Sequence, residues 1–382
     1  VKDNTEESGG KFEDYGIYTQ VEQLNKTALK SHGLDSNGQL YKINSFEFYR
    51  YEDIIKKEDD AGYDKTAFEK MLEIKGDSDH TKLIDMLTDL NDYSIGIEDV
   101  LKEHFDEENI VYWMAFQILM GNVDTQNRNV YLYSPLNSDI WYFIAWDNDG
   151  CLMRPEYELR NFSDQNSWEK GISNYWGNIL FQRCLKSRSF REKLNDAILD
   201  LREYLNKDML TSKIESYKNV LKPYLYLMPD AEYEPLTSEQ YDQIAASLPD
   251  EIEKNYQLYL ESLETPMPFY IGVPTIDGDK LKFNWDVSYD LDAEDITYSV
   301  EVARDYLFQD VIYQNTTLTV PEAEMDLPNA GQYFVRVRAT NTSGKTQDAF
   351  DYYVTDEGKH YGMKCFYITE DNTVEEDIYE EG

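Results

Sequence analysis

The chain has 382 residues, 41% of them apolar and 14% aromatic, which is enough to bury more than one core and too apolar for a disordered chain. Against 36 Lys and Arg stand 75 Asp and Glu, a formal net charge of −39 that repels nucleic-acid phosphates and anionic lipid and excludes both as main partners. Three cysteines (Cys151, Cys184, Cys365) and four scattered histidines show no metal spacing and no disulfide framework, and no apolar run reaches the roughly 18 residues of a membrane span.

Residues 1–12 are polar and are expected to fray. Residues 15–24, YGIYTQVEQL, alternate as a strand does; Asn25 then caps a short helix that Gly33 stops. A turn at Asp35 to Gly38 leads into a strand or hairpin over 39–51. Helices are predicted over 65–75, over 78–92 with Leu83, Ile84, Met86, Leu87 and Leu90 on one side, and over 97–105. Asp106 opens a helix, acidic in its first turn, whose stretch IVYWMAFQILM is apolar nearly all round and therefore buried. It delivers Asp124 straight from the centre of the protein. VYLY (130–133) and IWYFIAW (140–146) read as two strands joined by the turn SPLNSD.

Residues 154–168 are polar and expected to be irregular; Arg154 and Arg160 could meet phosphate there, although a surface arginine is the usual case. From 175 to 264 the apolar positions recur at three and four, punctuated by Pro223 and Pro249, as in a helical bundle packed under the hairpin. Pro266-Met-Pro268 marks a boundary, after which the period becomes two. Strands are expected over 280–287, 296–304, 317–320, 331–341 and 349–354, and about seven short strands in this space suggest a β-sandwich. With Trp285 on an early strand and Tyr333 in YFVRVRATN, this region resembles a fibronectin type III domain. The acidic loop of Asp286, Asp290, Asp292 and Asp295 is a Ca²⁺ candidate without the EF-hand pattern. Beyond Asp356 come a strand-like MKCFYIT and an acidic run expected to be disordered.

The chemistry concentrates between Gly121 and Asp149. Asp124 and Asn129 precede the first hairpin strand; Asp147 and Asp149 follow the second. In a short-looped hairpin the start of one strand lies beside the end of the other, so these four oxygen-bearing side chains meet at one end of the ribbon. A hard cation such as Mg²⁺ needs that set. The order of Asp, four residues, Asn and then a second Asp after a hairpin is also the economy of protein kinases, although His-Arg-Asp and Asp-Phe-Gly are absent here. Asp and Asn are common turn and cap residues, and a chain with 75 acids contains this spacing by chance; the hairpin is what favours a site.

The motifs Gly121-Asn122-Val123-Asp124, Asn129-Val130-Tyr131-Leu132-Tyr133 and Trp146-Asp147-Asn148-Asp149, with Tyr15 to Lys42 upstream, resemble the CotH family of atypical kinases over roughly residues 12–263. The resemblance implies ATP-dependent, Mg²⁺- or Mn²⁺-assisted phosphorylation of protein Ser or Thr. It makes Asp124 the catalytic Asp and Asn129 and Asp147 the metal ligands; Asp149 matches the motif as a further metal ligand. The family carries an N-terminal lobe before the upstream segment, whereas these residues hold no Gly-rich phosphate loop and no Lys after a Gly-rich strand.

The expected fold is therefore α+β. A kinase-like C-lobe over 1–265, helical with a catalytic β-hairpin and lacking most of its N-terminal lobe, precedes a β-sandwich over 266–356 and an acidic tail over 357–382. The expected function is protein phosphorylation with ATP as co-substrate, at a bacterial surface, outside the cell or in the spore coat, with the sandwich reaching surface or coat partners. The competing reading is a non-catalytic scaffold or adhesion protein that keeps the kinase-like core. Paired-carboxylate sugar hydrolysis is the weaker third, because no aromatic subsite pattern accompanies Asp147 and Asp149.

Overall fold

The computed structural model describes residue 12 and residues 14–160, 166–356 and 358–377. The expected fraying over 1–11 and the last residues of the acidic run, 378–382, lie outside the described residues, as do 161–165 of the segment expected to be irregular.

Asn25 starts helix α1 (Lys26–Ser31), accepting from the Thr27 and Ala28 amides. Then follow β1 (Gln39–Ile43), α2 (Lys65–Met71), β2 (Leu72–Ile74), α3 (Thr81–Asn91), α4 (Ile97–His104), α5 (Glu107–Met120), β3 (Val130–Ser134) and β4 (Tyr142–Ala145). The four strands form one antiparallel sheet in the order β2-β1-β3-β4. Helices α6 (Arg154–Leu159), α7 (Ile179–Lys186), α8 (Arg188–Tyr204), α9 (Lys207–Leu225), α10 (Ser238–Ser247) and α11 (Glu251–Glu264) complete this part. One core joins them, with Leu83, Trp113, Met114, Leu132, Trp141, Phe181 and Leu194 all buried.

Four elements differ from expectation and correct it. Residues 15–24 form no strand: Tyr18 and Val21 stay exposed, the Ile17 amide donates to Asp230, and Glu22 meets His32 of the adjoining turn. β1 stops at Ile43, short of the expected 51; beyond it the chain leaves extended geometry, with left-handed φ of 64° at Phe48 and 38° at Tyr51, while Phe46 and Phe48 stay buried in the core. The predicted helix over 65–75 ends at Met71, and Leu72–Ile74 pairs with β1, a tertiary partner overriding local preference. The segment expected to be irregular opens with α6, where Pro155 sits in the first turn and needs no amide partner.

The C-terminal part carries β5 (Thr275–Asp277), β6 (Lys280–Asn284), β7 (Ile296–Ala303), β8 (Val311–Leu318), β9 (Glu322–Asp326), β10 (Gly331–Asn341), β11 (Thr346–Asp348), β12 (Tyr352–Thr355), β13 (Gly358–Tyr361), β14 (Met363–Ile368) and β15 (Val374–Glu376). A sheet ordered β15-β14-β10-β7-β8, with β11 on β10, faces the three-stranded β5-β6-β9 across a core of Phe283, Trp285, Val300, Val335 and Phe366. The chain is thus α+β, with its β-rich region at the C-terminal end. β14 pairs with the central strand β10 and β15 with β14, so the strand-like stretch past 356 joins the sheet, and the first residues of the acidic run, Val374–Glu376, join it too instead of being disordered.

The acidic loop named as a Ca²⁺ candidate is engaged in its own turn. Asp290 accepts from the Asp292 and Glu294 amides and from Asn341 Nδ2, which makes it the organiser of its own turn. Among the described residues no group of three His, Cys, Asp or Glu is placed to hold a metal ion.

Candidate active site

Helix α5 ends on Gly121, whose φ of 62° closes the last turn, and a Cβ there would stand 2.7 Å from Asn255 Nδ2. The loop that follows is fixed by amide side chains, two arriving from elsewhere and one its own. Asn174 Nδ2 donates to the Val123 carbonyl at 3.1 Å, Asn178 Nδ2 to the Gln126 carbonyl at 2.8 Å, and Asn127 Nδ2 to Glu47 at 2.7 Å. Thr125 Oγ1 lies 3.2 Å from the buried Tyr175 hydroxyl. A loop held at so many points keeps its side chains in one geometry.

Asp124 leaves this loop with its side chain about half exposed. Asn129 Nδ2 donates to its carboxylate at 2.7 Å and to its backbone carbonyl at 3.1 Å, and Arg128 Nε stands 3.5 Å away. Its carboxyl is held above the usual range for aspartate. Partial burial is the largest cause, Arg128 and Asn129 oppose it, and the negative charges of Asp149 and Asp147 add to the rise.

In the hairpin Val130 faces Ala145, so Asn129 and Asp147, each just outside this pair, sit at the same end of the ribbon. Asp147 opens a turn of 3₁₀ helix over Asn148–Gly150, and both Asp147 and Asp149 are exposed to solvent. Asn129, Asp147 and Leu152 take left-handed φ of 58°, 53° and 58°. Three non-glycine residues in this region around one spot are a concentration of strain such as functional sites retain.

The structure therefore brings Asp124 into contact with Asn129 and sets Asp147 and Asp149 close enough to act on Asp124 by charge, without closing a three-carboxylate cluster. The donors are all oxygens. Asn129 turns its amide nitrogen to Asp124, which leaves its Oδ1 for another partner. An all-oxygen set of this kind fits Mg²⁺ or Mn²⁺ better than a softer ion.

The two arginines named as possible phosphate contacts have carboxylate partners within the chain. Arg154 is paired with the buried Glu251 at 3.2 Å and with Asn255 at 2.5 Å, and Arg160 is paired with Glu156 at 2.8 Å. Burial pushes the Cys151 thiol up to about 12, which makes it a packed side chain and not a nucleophile. Sequence reasoning misses three contributors: Arg128 beside Asp124, Glu47 under Asn127, and Gln117, the lone amide in the apolar run of α5. For Gln117 there is a signal, since a polar residue on a helix buried all round needs a partner.

Residues 4–259 match the CotH kinase protein family. Among curated proteins, none matches the chain. The match spans two thirds of the sequence and includes both turns of the site; the chain belongs to the CotH kinase protein family.

Proposed function

We propose that this protein is a protein kinase of CotH type, transferring the γ-phosphate of ATP to Ser or Thr hydroxyls of a protein acceptor at a bacterial surface, outside the cell or in a spore coat. The observation that carries the reading is the contact of Asn129 with Asp124 at the same end of the hairpin as Asp147. Mg²⁺ or Mn²⁺, held by Asn129 Oδ1 and Asp147 with Asp149 beside them, would supply neutralising charge for the transferred phosphoryl. Asp124 positions the acceptor hydroxyl and takes up its proton, and Asn129 and Arg128 hold the carboxylate in place for that role. The β-rich region supplies a surface for coat or cell-surface partners.

The direct test supplies the purified protein with γ-labelled ATP, Mg²⁺ and a panel of acceptor proteins, its own chain included. Label should appear on Ser or Thr and vanish with a chelator. If ATP binds with Mg²⁺ but no acceptor is labelled, the non-catalytic scaffold becomes the better reading.

The raised titration of Asp124 adds a pH prediction. The working form is the carboxylate, which is lost as pH falls through the raised value, so the acid limb of kcat/KM should lie above that of an ordinary aspartate. Stability runs the other way. A raised native value favours the protonated form in the fold, a contribution complete below the unfolded value and lost as pH rises through the native one. Asp124→Asn should therefore lose activity while its Tm at neutral pH stays level or rises; a clear drop in Tm would contradict the assigned shift.

A further inference from the structure

Gln117 is fully buried in α5, in a run whose neighbours on the helix are apolar. Both ends of its amide are engaged, and with the two halves of the site. Its Oε1 accepts from Asn122 Nδ2 at 3.0 Å, two residues before Asp124. Its Nε2 donates to Asn148 Oδ1 at 3.1 Å, the residue between Asp147 and Asp149. Donor and acceptor are thus both specified, so the amide has one orientation and the two turns one spacing. A second close approach reinforces the link: a Cβ on Gly150 would stand 2.7 Å from Asn122 Oδ1. Nothing else in α5 reaches both turns by hydrogen bonds among the described residues.

We infer that Gln117 is a positioning residue which holds the Asp124 turn and the Asp147–Asp149 turn in register, so that one divalent cation reaches oxygens of both. The inference rests on the reading of this site as a cation and nucleotide site. Gln117 touches neither, and acts through Asn122 and Asn148. Residues in this relation to a metal site commonly change its affinity by about 10- to 100-fold when replaced.

The test is Mn²⁺ binding by the full chain, followed through the signal of free Mn²⁺ in electron paramagnetic resonance, for wild type, Gln117→Met and Asp147→Asn. Gln117→Met keeps the length and volume and removes both hydrogen bonds. Its Mn²⁺ affinity should fall about 10- to 100-fold at a temperature where circular dichroism shows it folded. A residue that only stabilised the fold would lower Tm and leave that affinity alone. Should the Met variant not fold, Gln117→Asn keeps a polar amide too short to span both turns and should show the same loss. Folded Gln117 variants that bind Mn²⁺ like wild type overturn the inference. If wild type itself binds no better than Asp147→Asn, the cation reading fails, and this inference fails with it for that separate reason.

Discussion

Asp147→Asn is expected to reduce Mg²⁺-dependent phosphotransfer by roughly 10²- to 10³-fold while leaving Tm within about 1 °C of wild type. The side chain is exposed and caps nothing, so no packing is lost with its charge. Its backbone φ of 53° decides the choice of variant. Asn tolerates the left-handed region, whereas Asp147→Ala adds about 1–2 kcal/mol of backbone cost and confounds a catalytic loss with a structural one. Asp147→Asn should also lower the titration of Asp124, because one of the negative charges raising it is gone. The acid limb of the residual activity should then shift to lower pH. Steady-state kinetics at saturating ATP, read as a function of Mg²⁺ and of pH, measure both effects. A rate equal to wild type at all Mg²⁺ concentrations would remove Asp147 from the metal site, and with it the kinase assignment of the hairpin.

Periodicity meeting polarity is what makes this site legible in the sequence. The two apolar runs around Val130 and Phe143 fit only as paired strands, and pairing fixes which ends meet; Asn129 and Asp147 follow from that alone. The buried α5 is equally plain from a run with no polar face, and its stop from Gly121. The errors share a cause. Residues 15–24 alternate, but alternation states only that a strand would have two faces and not that a neighbour exists to bond it. Residues 72–74 resemble the end of a helix because the pull of β1 lies some thirty residues away. Strand β15 opens the run that reads as disordered acidic tail when its own composition is judged, while its place is decided by β14. Arg154 is no more legible: an arginine destined for phosphate and one destined for Glu251, 97 residues later, have the same local sequence.

Trp113→Ala should be among the most damaging single changes to the fold, costing about 3–5 kcal/mol of the roughly 5–15 kcal/mol that holds a domain together. Trp113 lies nearly buried on α5, stacked on Phe181 of α7 at 5.6 Å and 10°, with Phe143 of β4 edge-on at 5.1 Å and Tyr175 edge-on at 6.3 Å. Three separate elements thus converge on one ring, and contacts of this geometry add to the area they bury. The hole left by alanine cannot close by a shift of one neighbour, because Phe181 also packs against Phe143 and Tyr175. Those neighbours lead to both halves of the site. Phe143 sits four residues before Asp147, and the Tyr175 hydroxyl meets Thr125 next to Asp124. Loss of packing should therefore appear as loss of phosphotransfer even in molecules that remain folded. Trp113→Phe keeps an aromatic ring in the same place and should cost about 1–2 kcal/mol, with activity per folded molecule largely kept. Urea unfolding followed by far-UV circular dichroism, which avoids the missing indole fluorescence, measures the difference. A midpoint for Trp113→Ala indistinguishable from that of Trp113→Phe would show that the cluster around α5 does not carry the stability assigned to it.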